Sequence, residues 1–293
     1  MKFTNKISSM SICATARNAA DRIVDSLEVV ARLSDLAKIT KVYIVTNDNC
    51  DQTDDVLDSW SKLAPGRKIL HLDGLAACVT DRIDRLAHAR NAYLQALRSE
   101  CDVPEFVLML DMDGPNAGLD PATVLAAIKQ APANWSALFA NQNESYYDLF
   151  ALRKKGWVEE DPWLIVHRRL TWLRRTPGRQ IDQAVGGWIS KYYEKRLSAK
   201  HVLSRQYRIP VTSPYIKVDS AFGGLAVYRT KSIQNAWYGS RNNMGQSTCE
   251  HVLFNAAVRR NNPGLYICPF MTNKSPDEHI SRNTNFFSTK VFA

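Results

Sequence analysis

The residues with the clearest chemistry close an apolar run. Glu105 to Leu110 reads EFVLML, and Asp111-Met112-Asp113-Gly114-Pro115 follows it directly. Carboxylates at i and i+2 leave extended backbone on the same side, and a turn at Gly114-Pro115 lets the second swing toward a common point. Held close, the two repel unless a cation is shared between them. Oxygen ligands of this kind suit magnesium or manganese, which keep positions open for phosphate oxygens. An Asp-x-Asp is also what a polar turn carries, and only its place at the end of a buried strand gives it chemical weight.

Two other apolar runs end in polar clusters. Met10 to Ala16 leads into Thr15-Ala16-Arg17-Asn18 at the opening of a helical pattern, where free backbone N–H groups could receive an anion. KVYIVT (Lys41 to Thr46) leads into Asn47-Asp48-Asn49-Cys50-Asp51-Gln52-Thr53. Asp48 could accept from a base's ring N–H or a ribose hydroxyl. Asp51 and Thr53 equally suit the cap of the helix that follows.

The elements that position these clusters alternate. Strands are expected at Met10 to Ala16, Lys41 to Thr46, Lys68 to Leu72, Glu105 to Leu110 and Ser136 to Ala140. Helices are expected at Asp21 to Leu36, Asp51 to Lys62, Asp81 to Arg98 and Pro121 to Gln130. Further strands are expected at Gly223 to Tyr228 and Leu265 to Phe270, with a helix at Glu250 to Arg260 between them. Such alternation predicts an α/β fold, a mostly parallel sheet flanked by helices. Ligands bind that architecture at the carboxyl ends of the strands.

Composition narrows the class. The chain has 293 residues, 45% of them hydrophobic and 23% charged, which fits a globular protein and neither a disordered nor a fibrous one. Its apolar runs are strand-length, far short of the roughly 20 residues of a spanning helix. The N-terminal MKFTNKISSMSICATARN lacks the apolar core of a signal peptide. The six cysteines form no CxxC pair, which argues against a zinc site or disulfide framework and for a reducing, cytoplasmic compartment.

The formal net charge is +9, and its distribution is uneven. Residues 151–217 hold 15 Lys+Arg against 5 Asp+Glu, whereas the rest of the chain holds 23 against 24. The same segment carries Trp157, Trp163, Trp172, Trp188 and the pair Tyr192-Tyr193. A basic, aromatic-rich helical insertion is expected there, suited to an anionic acceptor or to peripheral contact with a membrane. It has no RNP, KH or helix-turn-helix signature, so no nucleic acid is expected as partner. GxGxxG, GxxxxGK[ST] and G-x-S-x-G are all missing, which disfavours dehydrogenases, P-loop NTPases and α/β-hydrolases.

In order, ATARN, TNDNCDQT, RLAHARN and LDMDG resemble a glycosyltransferase of the GT-A fold. YYDLFALR (Tyr146 to Arg153), DSAFGGLAVYR (Asp219 to Arg229) and CEHVLFN (Cys249 to Asn255) are similar to the capsule-associated, cryptococcal-type mannosyltransferase-like family and its bacterial and viral relatives. The resemblance covers about Ser11 to Phe270 and is weakest over the basic segment. It implies one GT-A domain, with a nucleotide-sugar-binding half over 1–150, the insertion over 151–217 and an acceptor and catalytic half over 218–293. The fungal members carry an N-terminal anchor that this sequence does not show.

The resemblance implies a transfer from a nucleotide-diphosphate sugar to a hydroxyl of a glycan acceptor, with Mn2+ or Mg2+ as cofactor. It places Ala16, Arg17, Asn18, Asp48, Arg82, Arg90, Asn91, Asp111, Gly223 and Gly224 around the donor. It assigns Asp111 and Asp113 to the metal, joined by His279 of SPDEHIS. Tyr146, Tyr147, Asp148, Arg153 and His251 fall at the acceptor. Glu250 occupies the position of the catalytic base in inverting members, although a glutamate also suits a first helical turn electrostatically. Two rivals stand beside this reading. One is a sugar nucleotidyltransferase, which normally brings a glycine-rich loop that TARNAADR lacks; the other is a polyanion- or nucleic-acid-binding protein using residues 151–217.

Overall fold

The computed structural model describes residues 9–175 and 183–275. The first elements are β1 (Met10–Ala16), α1 (Ile23–Leu36), β2 (Ile39–Thr46), α2 (Thr53–Ser61), β3 (Arg67–His71) and the single turn α3 (Leu75–Cys78). Next come α4 (Arg82–Arg98), β4 (Phe106–Asp111), α5 (Pro121–Gln130) and β5 (Ala137–Gln142). Two helices follow, α6 (Pro162–Arg175) and α7 (Gln183–His201), then β6 (Ile216–Lys217) and β7 (Leu225–Arg229). The last described elements are α8 (Thr230–Ile233), α9 (Glu250–Asn261) and β8 (Leu265–Asn273).

Among the described residues the strands form one eight-stranded sheet in the order β3-β2-β1-β4-β7-β5-β8-β6. The pairs β1–β2, β1–β4, β2–β3 and β5–β8 are parallel. β7 runs antiparallel to both β4 and β5, and β6 antiparallel to β8. Reversal of β7 brings its amino end to the rim where β1, β2, β4, β5 and β8 finish. The Asp111 N–H accordingly reaches the Gly224 carbonyl at 2.9 Å. Residues 222–224 therefore face the strand-end carboxylates although they precede a strand.

Alternate residues of each strand feed two cores, as a sheet covered on both faces requires. Cys13, Tyr43, Val107 and Met109 pack with Ala87, Tyr93, Leu94 and Leu97 of α4 and with Phe254 of α9. Ile12, Ala14, Ile44, Leu108 and Leu110 pack with Ile23, Leu27, Val30 and Leu33 of α1 and with Val124 of α5.

Local side-chain chemistry sets the helix starts. Asp81 accepts from Ile83 N (2.8 Å) and Asp84 N (3.1 Å), so the expected start of α4 becomes its cap. Asp51 accepts from Thr53 N (3.0 Å) and Ala20 N (3.1 Å), which delays α2 to Thr53 and ties it to the end of β1. α6 starts at Pro162, its first turn satisfied by Asp161, which accepts from Trp163 N at 2.8 Å. Trp157 is buried, with its Nε1 donating to the Arg205 carbonyl at 2.8 Å, whereas Trp163 and Trp172 are exposed. No helix among the described residues is long and apolar enough to cross a membrane.

Candidate functional site

A cleft of about 420 Å³ opens at the carboxyl rim of the sheet. Its floor is the end of β1 and β4, one wall is the first half of α4, and the facing wall is formed by Tyr147, Asp148, Phe150, Ala151, Phe222, Gly224 and the start of α9. Twelve of the residues singled out from sequence line it. Ala16, Arg17 and Asn18 lie at one side, Arg82 and Arg90 on α4, and Asp111 and Asp113 on the floor. Tyr147, Asp148, Gly224, Glu250 and His251 close the other side.

Arg90 sits at the centre of this charge arrangement. It is 3% exposed, yet donates from Nη2 to Asp111 Oδ1 at 2.9 Å and from Nε to Glu250 Oε1 at 3.2 Å. Its guanidinium also lies over the Phe222 ring, 5.0 Å from the centroid. Burial acts to release its proton, but Asp111 and Glu250 outweigh that and hold Arg90 charged. Burial raises the Asp111 carboxyl to about 7, with Arg90 pulling it down and Asp113 and Glu250 pushing it up. A carboxylate in that balance favours a second positive partner.

Glu250 opens α9 and is 3% exposed. Oε1 is bonded to Arg90, and the Cys249 thiol lies 3.7 Å from Oε2. His251 is stacked on Phe222, centroids 3.8 Å apart, and meets Tyr238 edge-on at 5.4 Å. Burial, and then Arg90, depress its pKa well below the usual imidazole value, so the ring is neutral. Its Nε2 is 3.6 Å from Glu250 Oε1, and neither ring nitrogen has a hydrogen-bond partner among the described residues.

A buried amide network fixes the Gly223-Gly224 backbone against the floor. Asn116 donates to the carbonyls of Asp111 (2.8 Å) and Gly224 (2.9 Å), and Asn273 donates to Asn116 Oδ1 (3.1 Å) and the Gly223 carbonyl (2.6 Å). Both glycines have positive φ, +67° and +80°. A Cβ on Gly223 would overlap Gln142 Nε2 and come within 2.8 Å of the Ala140 carbonyl, so the close approach there demands glycine. From the other side, Asp148 Oδ2 accepts from Gly223 N at 2.9 Å.

Five candidates stand off the cleft lining, each for a visible reason. Asp48 accepts from Gly74 N (2.7 Å), Ala76 N (2.8 Å) and Asn47 Nδ2 (2.8 Å), so its carboxylate holds the turn after β3. Asn47 is the residue of that loop that lines the cleft. Asn91 pairs with both backbone groups of Tyr238, at 3.0 and 2.9 Å, and anchors the loop before α9. Gly223 lies behind Gly224. Tyr146 is wholly buried against Trp157, ring centroids 5.6 Å apart. Arg153 turns to the carbonyls of Phe150 (3.1 Å) and Leu152 (2.6 Å). His279 lies outside the described residues.

Arg85 lines the cleft without having been singled out, and Phe222, read only as part of the Phe222-Gly223-Gly224 backbone, lines it too. Phe222 lies between Arg90 and His251, a placement no local pattern around FGG encodes. Arg85 was legible as the i+3 neighbour of Arg82, and donates to the carbonyls of Val79 (2.8 Å) and Thr80 (2.6 Å).

Among the described residues no cluster of three or more His, Cys, Asp and Glu side chains forms a closed metal cage. The donor set nonetheless suits a hard divalent cation that takes one or two carboxylates and completes its shell from a ligand's phosphates and water. The Asp113 side chain is exposed and has no protein partner among the described residues, and Arg90 leaves Asp111 Oδ2 unclaimed.

No protein-family model matches the chain, and no curated protein matches it in sequence. Solved structures do match. The mannosyltransferase PcManGT from Pyrobaculum calidifontis, in complex with GDP-Man and Mn2+, is similar with a TM-score of 0.52 at 13% identity, over 92% of this chain and 57% of that one. TarS 1-349 from S. aureus in complex with UDP-GlcNAc gives 0.47 at 13% identity, over 94% of this chain and 61% of that one. Glucosyl-3-phosphoglycerate synthase from Mycobacterium tuberculosis, with Mn2+, UDP and phosphoglyceric acid, gives 0.37 at 11%, over 77% and 57%. The chain spans less than two thirds of the length of each of these structures. The sheet order, the flanking helices and the mannosyltransferase likeness define the fold as GT-A, a mostly parallel Rossmann-like sheet.

Proposed function

We propose that the chain is a glycosyltransferase that moves a sugar from a nucleotide-diphosphate sugar to a hydroxyl of a glycan acceptor. The observation that carries this reading is the convergence of Asp111, Asp113, Arg90 and Glu250, from β4, α4 and α9, in one cleft at the carboxyl rim. The GT-A fold supports it, as does the PcManGT complex with GDP-Man and Mn2+. The finer resemblance to the capsule-associated mannosyltransferase-like family belongs to the same proposal, with residues 1–150 serving the donor and 218–293 the acceptor.

In this reading Asp113 and Asp111 would hold a divalent ion, Mn2+ or Mg2+, which when bound would neutralise charge on the donor diphosphate. Arg17 and Arg82 add positive charge at the cleft edge, and the Gly224 backbone admits the sugar closely. Asp148 and His251 border the space left for the acceptor. If the transfer inverts, Glu250 takes the proton of the attacking hydroxyl at Oε2, the oxygen that Arg90 leaves open; if it retains, departing phosphate oxygens take that proton and Glu250 positions the acceptor. Arg90 keeps that carboxylate in place beside the floor.

A thermal-shift panel of nucleoside diphosphates and sugar nucleotides, with Mn2+, Mg2+ or chelator, tests the reading. One nucleotide stabilises the wild type in the presence of metal, by about 2.7 kcal/mol at a hundredfold excess over its Kd, and Asp113→Ala abolishes the effect. Absence of any metal-dependent shift across the panel overturns it.

A further inference from the structure

The α6–α7 hairpin carries features that the cleft does not use. Pro162 to His201 holds nine Lys+Arg against two Asp+Glu. On α6, Arg168, Arg169 and Trp172 are exposed and fall at i, i+1 and i+4, on one side of the helix. Trp163 is 47% and Trp172 60% exposed, although tryptophan is strongly buried on average. On α7, the six consecutive residues from Lys191 to Arg196 are all exposed. This stretch presents Tyr192 and Tyr193 among Lys191, Lys195 and Arg196.

The two charge types are unevenly satisfied there. Arg168 pairs with Glu160 at 3.1 Å, and Arg196 donates to the Tyr192 hydroxyl at 3.1 Å. By sequence the segment carries a net formal charge of +7, nine Lys+Arg against two Asp+Glu. Amphipathic aromatics interleaved with cations match a surface that is anionic outside and apolar just beneath. Neither the cleft nor the shallow groove beside β3 is lined by residues of α6 or α7.

We propose that the α6–α7 hairpin docks the protein on an anionic lipid bilayer, with Trp163, Trp172, Tyr192 and Tyr193 entering the headgroup region and the lysines and arginines contacting lipid phosphates. The hairpin is coupled to the cleft. Arg168 Nη2 donates to Gln246 Oε1 at 3.2 Å, in the loop that leads into Glu250, and Asp161 caps α6 just after the cleft-lining Tyr147, Asp148, Phe150 and Ala151. A docked hairpin therefore sets the cleft near the bilayer surface, where a lipid-borne hydroxyl acceptor would be within reach. The docking itself does not rest on the transferase reading.

Co-sedimentation of the full chain with phosphatidylcholine vesicles, with and without phosphatidylglycerol, tests it, beside a titration with single-stranded polyuridylate. The expected result is binding to the phosphatidylglycerol vesicles, weakened by salt, and a blue shift of tryptophan emission. Lys195→Gln lowers partitioning about fivefold, and Arg169→Gln does likewise. Trp172→Ser reduces the blue shift, leaving the part contributed by Trp163. Protein that stays in the supernatant with anionic vesicles overturns the proposal. So does polyuridylate binding that outcompetes the vesicles, or partitioning indifferent to all three substitutions.

Discussion

Asp111 and Glu250 share one guanidinium: Arg90 gives Nη2 to the first at 2.9 Å and Nε to the second at 3.2 Å. The carboxylate that ends β4 and the carboxylate that opens α9 are thereby fixed to each other through a cation that is itself 3% exposed.

Replacing Arg90 leaves two carboxylates in a buried site without their counter-charge. Arg90→Gln is expected to lower stability by about 3 kcal/mol, in the range for breaking a buried ion pair from one side. Arg90→Lys keeps the charge but cannot serve both partners in the same geometry, and falls between. Urea denaturation of the three proteins at neutral pH in chelator orders them.

Two glycines with left-handed backbone separate conformational strain from collision. Gly118 (φ +75°) has nothing within 4 Å of an added Cβ, so Gly118→Ala costs about 1 kcal/mol, the left-handed penalty alone. Gly223→Ala adds a clash with Gln142 and the Ala140 carbonyl, and is expected to cost at least about 2 kcal/mol more. It also displaces Gly224 and weakens nucleotide-dependent stabilisation. Paired thermal melts with and without nucleotide read both effects.

His251 makes stability fall on the acid side. Its folded pKa is depressed by burial and by Arg90, so the unfolded chain takes up a proton below about 6.5 that the native ring refuses. Stability attributable to this group is complete above that value. It falls with a limiting slope of about 1.4 kcal/mol per pH unit as the pH drops toward the folded pKa. Asp111, raised to about 7, acts in the opposite sense, because its native form binds a proton that the unfolded chain releases. The readout is therefore the difference between wild type and His251→Phe, which keeps the stack on Phe222. A difference independent of pH between 4.5 and 6.5 (about two pH units below the unperturbed imidazole value) contradicts the expectation.

Asp81 tests the start of α4, which carries Arg82 and Arg90 into the cleft. Hydrogen bonds from the backbone N–H groups of Asp84 and Ile83 lower its pKa, so the cap stabilises above the unfolded value and is lost as pH falls through the folded one. Asp81→Ala costs about 1 kcal/mol near neutrality, and the deficit closes in acid. Equal deficits at both pH values refute the capping role.

Much of this architecture was legible because burial on both sheet faces leaves continuous apolar runs, and β1, β2 and β4 are such runs. The place of Asp111-x-Asp113 at the rim was legible for the same reason: charge immediately after FVLML marks the end of β4. β6, two residues long, left no pattern to read, and the reversed direction of β7 is a property of pairing that its own residues do not encode. Asp48 was read toward the ligand because a carboxylate at a strand end suggests binding. Its actual partners, the N–H groups of Gly74 and Ala76, come from a turn 26 and 28 residues away. Asn91 and Arg153 likewise turn to backbone groups of nearby loops, and a polar side chain that does so looks the same in sequence as one that faces a ligand.

The ion-pair bridge also orders events in the folding of the chain. Arg90 and Glu250 are 160 positions apart, so during synthesis α4 is complete long before the carboxylate that shares its guanidinium exists. Until α9 settles against α4, the nascent sheet must keep Arg90 wet or lean on Asp111 alone, and the far wall of the cleft lacks Glu250 and His251. A complete rim is thus a late acquisition, reached when α9 docks and not when the carboxylates of β4 first emerge.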